Sequence, residues 1–140
     1  MSLTLSGAIA LSDTLPGVTS TFEQNPALLV GIGGAFGAVM RHLVYLQFES
    51  DRFPWSTLLV NVVGSFVFAL VLFAGASEPT IQLVGIGICG AFTTFSTFSV
   101  ETVMLVESEQ YFEAVMNALG TLVAALGAVG GAWLLVSLLA

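Results

Sequence analysis

The sequence predicts an all-α membrane protein with four transmembrane helices, and three observations support that prediction. Apolar residues make up 56% of the 140-residue chain and charged residues only 8%, while the mean hydropathy is +1.01. Four apolar segments each approach the ~20 residues that cross a bilayer. Short connectors separate them, so neighbouring helices should run antiparallel. A soluble domain would need a charged exterior, which this composition cannot supply.

The chain divides into an N-terminal extension, residues 1–26, and one four-helix transmembrane domain, residues 27–140. The extension is rich in Ser, Thr, Pro and acidic residues and holds no Lys or Arg. A secretory signal would begin with a positive region, so we expect a poorly ordered or interfacial segment instead. The predicted spans are residues 27–46, 55–76, 81–106 and 114–140.

Basic residues are scarce. The chain has nine acids, one cysteine and no lysine, and its only arginines are Arg41 in the first span and Arg52 in a loop. Because Lys/Arg bias between loops sets orientation, either the topology is weakly determined or both orientations are used. The acidic excess is equally compatible with a high-salt host. Cys89 lies in an apolar segment, so no disulfide framework is expected.

The first span places Gly33, Gly37 and Arg41 on one helix face, at i, i+4 and i+8. Small residues at this spacing let another helix approach closely, so we interpret the glycines as packing residues. A guanidinium in a span must reach the interface or find a polar partner. A structural anchor and an anion attractor are equal alternatives for Arg41.

In the second span Asn61, Gly64 and Ser65 fall at i, i+3 and i+4. The Asn61 amide carries two N–H donors at a depth where water is scarce. An interhelical hydrogen bond, which averages only ~0.6 kcal/mol, is one interpretation. A donor for an anion is the other.

The third span contains a G-x-G-x-x-G pattern at residues 85–90. A dinucleotide site needs this pattern between a strand and a helix, and an apolar span provides neither neighbour, so we reject that function. Poor helix formers follow at Thr93 and Thr94, which predicts that the helix is broken near its middle, around residues 90–94. Carbonyls freed at such a break could hold a small hard cation.

Aromatic and polar side chains alternate after the predicted break. Phe95 and Phe98 are three residues apart, and ring edges carry partial positive charge. Thr94, Thr97 and Glu101 form a polar stripe beside them. Polar side chains are expensive in a bilayer and usually functional, so these two stripes indicate the lining of an ion path.

The fourth span has Asn117 and Thr121 at i, i+4. Gly127 and Gly131 have G-x-x-x-G spacing, which is typical of helix packing.

Three motifs together resemble the Fluc/CrcB family of fluoride channels, over roughly residues 27–139. They are residues 34–41 (GAFGAVMR), 57–66 (TLLVNVVGSF) and 87–101 (GICGAFTTFSTFSVE). The resemblance implies an antiparallel, dual-topology homodimer with two pores in the cell membrane, which suits the missing Lys/Arg bias.

The resemblance also implies roles for individual residues of the fluoride pathway. Asn61 resembles the pore asparagine that contacts fluoride. Phe95 and Phe98 resemble the two rings whose edges line the path. Ser96, Thr97 and Glu101 resemble the polar track beside the rings.

Further roles are implied at the first, third and fourth spans. Gly90 and Thr93 resemble the positions whose backbone carbonyls, from both subunits, hold a structural sodium ion that is not transported. Arg41 resembles an arginine near the pore vestibule. Asn117 and Thr121 fall where the family commonly has serine or threonine. A family tyrosine one turn earlier is replaced by Glu113.

The expected function is a passive channel that lets cytoplasmic fluoride leave the cell. Its expected partners are fluoride, the lipid bilayer and a second copy, with no nucleic acid. No nucleophile–base pair is apparent, so we do not expect an enzyme. A small proton-coupled multidrug exporter and a non-transporting membrane subunit are the alternatives. The exporter would need a membrane carboxylate, usually in the first span, which has none.

Overall fold

The computed structural model describes residues 25–48 and 53–139, and all regular elements in these ranges are helical. They are α1 (Pro26–Gln47), α2 (Trp55–Phe73), α3 (residues 78–92), α4 (Phe95–Glu107) and α5 (Tyr111–Leu139). Four helical stretches are long and apolar enough to cross a membrane: α1, α2, α5, and the third span Glu78–Glu107, which contains α3 and α4. The predicted all-α, multi-pass membrane protein is confirmed. Most of the predicted extension, residues 1–24, lies outside the described residues, as do Arg52 and Ala140.

Local sequence signals explain where the helices begin and end. Asn25 caps α1, since its side chain accepts a hydrogen bond from the Leu28 N–H, and Pro26 opens the first turn. The second span was predicted to reach Ala76, but α2 ends at Phe73 because Gly75 takes a left-handed conformation with φ +65°. The Ala76 N–H then bonds back to the Val71 carbonyl, which closes a Schellman turn.

Two stretches are wound as π-helix, Ile81–Cys89 within α3 and Met116–Gly120 within α5. A π-helix bonds residue i to i+5 and occurs mostly as single turns, frequently at functional sites. The stretch in α3 runs up to the last turn before the interruption described below. The stretch in α5 contains Asn117.

α1 packs along the π-helical part of α3 through glycines on both helices. A Cβ at Gly33 would collide with the Leu83 carbonyl oxygen, and one at Gly37 would collide with the Ile88 carbonyl oxygen. A Cβ at Gly87 would lie 2.9 Å from the Gly33 Cα. The packing interpretation of these glycines is therefore confirmed, and Gly87 belongs to a helix interface rather than to a nucleotide loop.

α2 packs against both α5 and the third span. The residues buried among the helices are small or medium-sized: Val60, Ala69, Cys89, Ala114 and Ala132 are the buried apolar ones. Large side chains such as Leu122, Leu126 and Trp133 remain exposed on the outer faces. This arrangement suits a chain whose exterior is solvated by lipid.

Candidate functional site

The backbone of the third span leaves the helical conformation at two residues. Thr93 has φ −77° and ψ 159° and Thr94 has φ −149° and ψ 123°, so α3 ends at Phe92 and α4 begins at Phe95. Gly90 keeps helical dihedral angles, so threonines rather than a glycine carry the extended backbone. Thr94 caps α4, because its hydroxyl oxygen accepts from the Thr97 N–H at 3.2 Å.

Asn61 holds this interruption in place from α2. Its Nδ2 donates to the Thr94 carbonyl at 3.0 Å, and its Oδ1 accepts from the Thr94 N–H at 2.8 Å. A side-chain amide has the same donor and acceptor as a peptide group, so it satisfies both backbone groups that the extended residue withdraws from helical bonding. One amide hydrogen of Asn61 has no partner within residues 25–48 and 53–139, and it is available to an ion or a water.

A cavity of about 310 Å³ lies beside the interruption. Its lining combines hydrogen-bonding groups, aromatic rings and two aliphatic side chains. The lining residues are Asn61, Ser65, Thr93, Thr94, Phe95, Phe98, Thr121, Leu122 and Ala125. Amide and hydroxyl donors and ring edges in one cavity, with no charged side chain among them, can interact with a small anion without trapping it.

Phe95 and Phe98 lie close together at this cavity. Their ring centroids are 5.9 Å apart and the ring planes meet at 39°. Phe98 is half-buried, whereas Phe95 is 80% exposed. The structure therefore brings the two predicted rings to the same cavity as Asn61, with one of them open on its outer side.

Hydroxyl groups continue from the interruption along the first turn of α4. Thr94 donates to the Thr97 hydroxyl oxygen at 3.0 Å, and the Ser96 hydroxyl lies 3.4 Å from that of Thr94. Ser96 is exposed and Thr97 is half-buried. We call Asn61, Thr94, Thr97 and Glu101 the polar row, because they follow one another along the contact between α2 and the third span.

Glu101 ends the polar row two turns beyond the interruption. Its Oε2 is buried and has no hydrogen-bond partner in the part of the chain that the structure describes. The Thr57 side chain, fully buried in α2, lies beside the carboxyl group. The Tyr45 hydroxyl in turn lies 2.8 Å from the Thr57 hydroxyl.

Arg41 and Gly90 approach the interruption from its other sides. The Arg41 guanidinium is half-buried, and its Nη1 donates to the Thr93 carbonyl at 3.4 Å. This contact gives the charge a polar partner within the span, as an anchor would need. Gly90 is exposed, and a Cβ there would meet nothing within 4 Å.

Asn117 and Thr121 are placed differently from each other. Thr121 lines the cavity, whereas Asn117 is fully buried behind it. The Asn117 amide donates to the Thr102 hydroxyl oxygen at 2.9 Å, and Thr102 donates to the Phe98 carbonyl at 2.7 Å. Thr121 donates to the Asn117 Oδ1 at 3.5 Å. Asn117 thus links the cavity wall on α5 to the backbone of α4.

Four residues at the site were not among the predicted site residues: Tyr45, Thr57, Ser65 and Thr102. Helical spacing contained a signal for two of them. Thr57 lies one turn before Asn61 and Tyr45 one turn after Arg41, so each shares a face with a predicted residue. No comparable signal distinguished Thr102, because its role depends on contact with Asn117 in another helix.

Fold and site together define a small multi-pass membrane protein whose polar groups gather at one interrupted helix. Residues 28–133 match the family described as CrcB-like protein, Camphor Resistance (CrcB). The chain belongs to this CrcB family, and the resemblance inferred from the motifs is confirmed.

Curated relatives include two archaeal proteins of high similarity. "Fluoride-specific ion channel FluC 1" of Halobacterium salinarum is 51% identical over 112 residues, covering 80% of this chain and 94% of the relative. "Fluoride-specific ion channel FluC 2" of Haloarcula marismortui is 50% identical over 107 residues, covering 76% and 90%. "Fluoride-specific ion channel FluC" of Shewanella woodyi is 45% identical over 101 residues, covering 67% and 82%.

Proposed function

We propose that this protein is a fluoride-selective passive ion channel through which cytoplasmic fluoride leaves the cell. The observation that carries the proposal is the cavity at the interrupted helix, where Asn61 keeps a spare N–H beside Phe95 and Phe98. Relatives at 45–51% identity named as fluoride-specific channels give the ion its identity.

The chemistry of the cavity suits fluoride because the ion is small and strongly hydrated. To enter a narrow path it must exchange water for other hydrogen-bond donors, and Asn61, Ser65 and Thr121 offer an amide and two hydroxyls. Ring edges add a weak positive field. None of the lining side chains is a cation, so the ion can leave again, as conduction requires.

The working unit in this proposal is an antiparallel, dual-topology homodimer with two pores. Three exposed features at the interruption support it: the Phe95 ring, the Ser96 hydroxyl and the open space beside Gly90. An exposed hydroxyl at membrane depth is costly against lipid, and a second copy would cover it. The near absence of Lys/Arg bias permits insertion in both orientations.

A structural sodium ion at the dimer axis, held by carbonyls of Gly90 and Thr93, is a further part of the proposal. The Thr94 N–H bonds to Asn61 instead of closing the turn on the Gly90 carbonyl, which leaves that oxygen for another partner. Carbonyl oxygens are suitable ligands for a small hard cation. The bound ion would supply positive charge among the freed carbonyls of the interruption. Arg41 already contacts the Thr93 carbonyl, whose second lone pair would serve the ion.

Efflux from liposomes tests the proposed function. The purified protein would be reconstituted in vesicles loaded with potassium fluoride, and fluoride release would be followed with an electrode after valinomycin is added. Matched vesicles loaded with potassium chloride measure selectivity. We expect fast fluoride release with little chloride release. A folded protein in sodium-containing buffer that releases neither anion would contradict the proposal, and equal release of both would contradict the selectivity.

A further inference from the structure

Tyr45, Thr57 and Glu101 form a polar cluster at the end of the polar row, drawn from three different helices. The two hydroxyl oxygens are 2.8 Å apart, and the Thr57 side chain lies beside the Glu101 carboxyl. Thr57 is 0% exposed, and the Glu101 Oε2 is buried without a partner among the residues described. A membrane protein gains nothing from such a group unless it is used.

The number of hydrogens gives the cluster a direction. Thr57 has one hydroxyl hydrogen and can donate it only once. If that hydrogen serves the carboxylate, the short contact with Tyr45 requires the phenol to be the donor. The order is then Tyr45 to Thr57 to Glu101, with each oxygen polarising the next.

The cluster is continuous with the proposed ion path on two helices. Thr57 lies one turn from Asn61 on α2, and Tyr45 lies one turn from Arg41 on α1. Both neighbours contact the interruption, Asn61 through Thr94 and Arg41 through the Thr93 carbonyl. A hydrogen bond that only joined α1 to α2 would not need a carboxylate from α4 beside it.

We propose that Tyr45 is a positioning residue of the ion path. Its hydroxyl fixes Thr57 as a donor to the Glu101 carboxylate, and this donor weakens the negative field that the carboxylate exerts on a passing fluoride. The inference rests on the proposed fluoride conduction. Without the phenol oxygen, the Thr57 hydroxyl is free to turn toward a carbonyl of its own helix, and the carboxylate loses its donor.

The test is a double-mutant cycle measured by fluoride efflux. Tyr45→Phe removes one oxygen and keeps the ring, and Thr57→Val removes the hydroxyl at nearly constant shape. We expect each to lower fluoride release about tenfold, which corresponds to ~1.4 kcal/mol. In a Glu101→Gln background, with no carboxylate to compensate, Tyr45→Phe should change release less than about twofold, since residues acting through one network are not additive. If Glu101→Gln conducts too little to measure, Thr57→Val replaces it in the cycle.

Matched variants separate this role from a merely structural one. Thr57→Ser keeps the hydroxyl and should conduct like the wild type. Tyr111→Phe removes the other phenol oxygen of the chain, which is exposed at the start of α5, and should change nothing.

The outcomes are distinguishable from failure of the proposed function. A wild-type protein that releases no fluoride overturns both. A conducting wild type with an unaffected Tyr45→Phe overturns the role of Tyr45 alone. Equal loss in the wild-type and Glu101→Gln backgrounds also overturns it, because the phenol would then act only as a brace between helices.

Discussion

The contact between α1 and α3 and the contact between α2 and the third span are both built on glycine, but only the second carries polar side chains. At the first, Gly33 and Gly37 press against backbone carbonyls of α3. We call it the α1 seam. At the second, the α2 seam, a Cβ on Gly64 would collide with the Thr93 methyl group, and the polar row runs along the same contact.

The difference shows what close helix approach does and does not indicate. At the α1 seam helical backbone meets helical backbone, so the glycines need only provide space. At the α2 seam the third span leaves the helix, and Asn61 must satisfy the freed backbone of Thr94. Polar groups are retained in a membrane when they are used, so the α2 seam is the functional one.

Replacement of Asn61 should have the largest effect. Asn61→Ala leaves the Thr94 N–H and carbonyl unsatisfied, at a cost of ~1–3 kcal/mol for each buried group. We expect fluoride efflux to fall roughly 100-fold, equivalent to ~2.7 kcal/mol, together with a lower unfolding temperature in detergent. Asn25→Ala is the control, since this cap lies at the start of α1, away from both seams, and should leave efflux intact. A conducting Asn61→Ala protein would mean that the interruption holds without its partner.

Enlarging a glycine of the α1 seam should lower stability and leave ion selectivity unchanged. A Cβ in Gly37→Ala would overlap the Ile88 backbone, and overpacking costs ~1–3 kcal/mol. Thermal unfolding in detergent measures the loss, and efflux measures the fluoride-to-chloride ratio. Gly31→Ala in the same helix meets nothing within 4 Å and should gain up to ~1 kcal/mol from helix propensity. A changed ratio in Gly37→Ala would erase the distinction between the seams.

Replacement of the rings should reduce conduction without much loss of stability. Phe95→Ile and Phe98→Ile remove the ring edges at the cavity, and we expect about tenfold slower fluoride release for each, or ~1.4 kcal/mol. Phe112→Ile, at an exposed ring near the start of α5, is the matched control. Unchanged release in both cavity variants would remove the rings from the mechanism but not the channel itself.

The smallest effect is expected outside both seams, at the turn between α4 and α5. Glu109 has φ +60°, and the Gln110 N–H bonds to the Leu105 carbonyl in a Schellman turn. Because glycine adopts this conformation without strain, Glu109→Gly should stabilise the fold by ~0.5–1 kcal/mol with unchanged efflux. Glu107→Gly, at the last helical position, should instead destabilise. A loss of stability in Glu109→Gly would mean that its side chain contributes more than the strain costs.

Much of the fold follows from short-range patterns. Hydropathy locates the four spans within a few residues, and i, i+4 spacing identifies Gly33 and Gly37 as packing residues. The end of α2 was missed by three residues, because Gly75 reverses the chain through a local turn that hydropathy does not register. The π-helical winding of residues 81–89 has no signal in the periodicity of the sequence.

The candidate site was predictable in composition but not in its connections. Polar residues stood out in apolar spans, and Phe95, Phe98 and Thr121 do line one cavity with Asn61. Asn117 stood out equally, yet it is buried behind the cavity wall and bonded to Thr102. Nothing in the spacing of the fourth span distinguishes those two positions.

Hydropathy, glycine spacing and the scarcity of charge therefore account for the membrane class, the span order and the packing seams, because each depends on neighbours within one or two helical turns. The tertiary structure decides which polar groups meet. Asn61 is 33 residues from Thr94 and Arg41 is 52 residues from Thr93. Tyr45 reaches Thr57 only because α1 and α2 pack side by side. Such pairings depend on the register between helices, and a shift of one residue turns a side chain by about 100° and would break each of them.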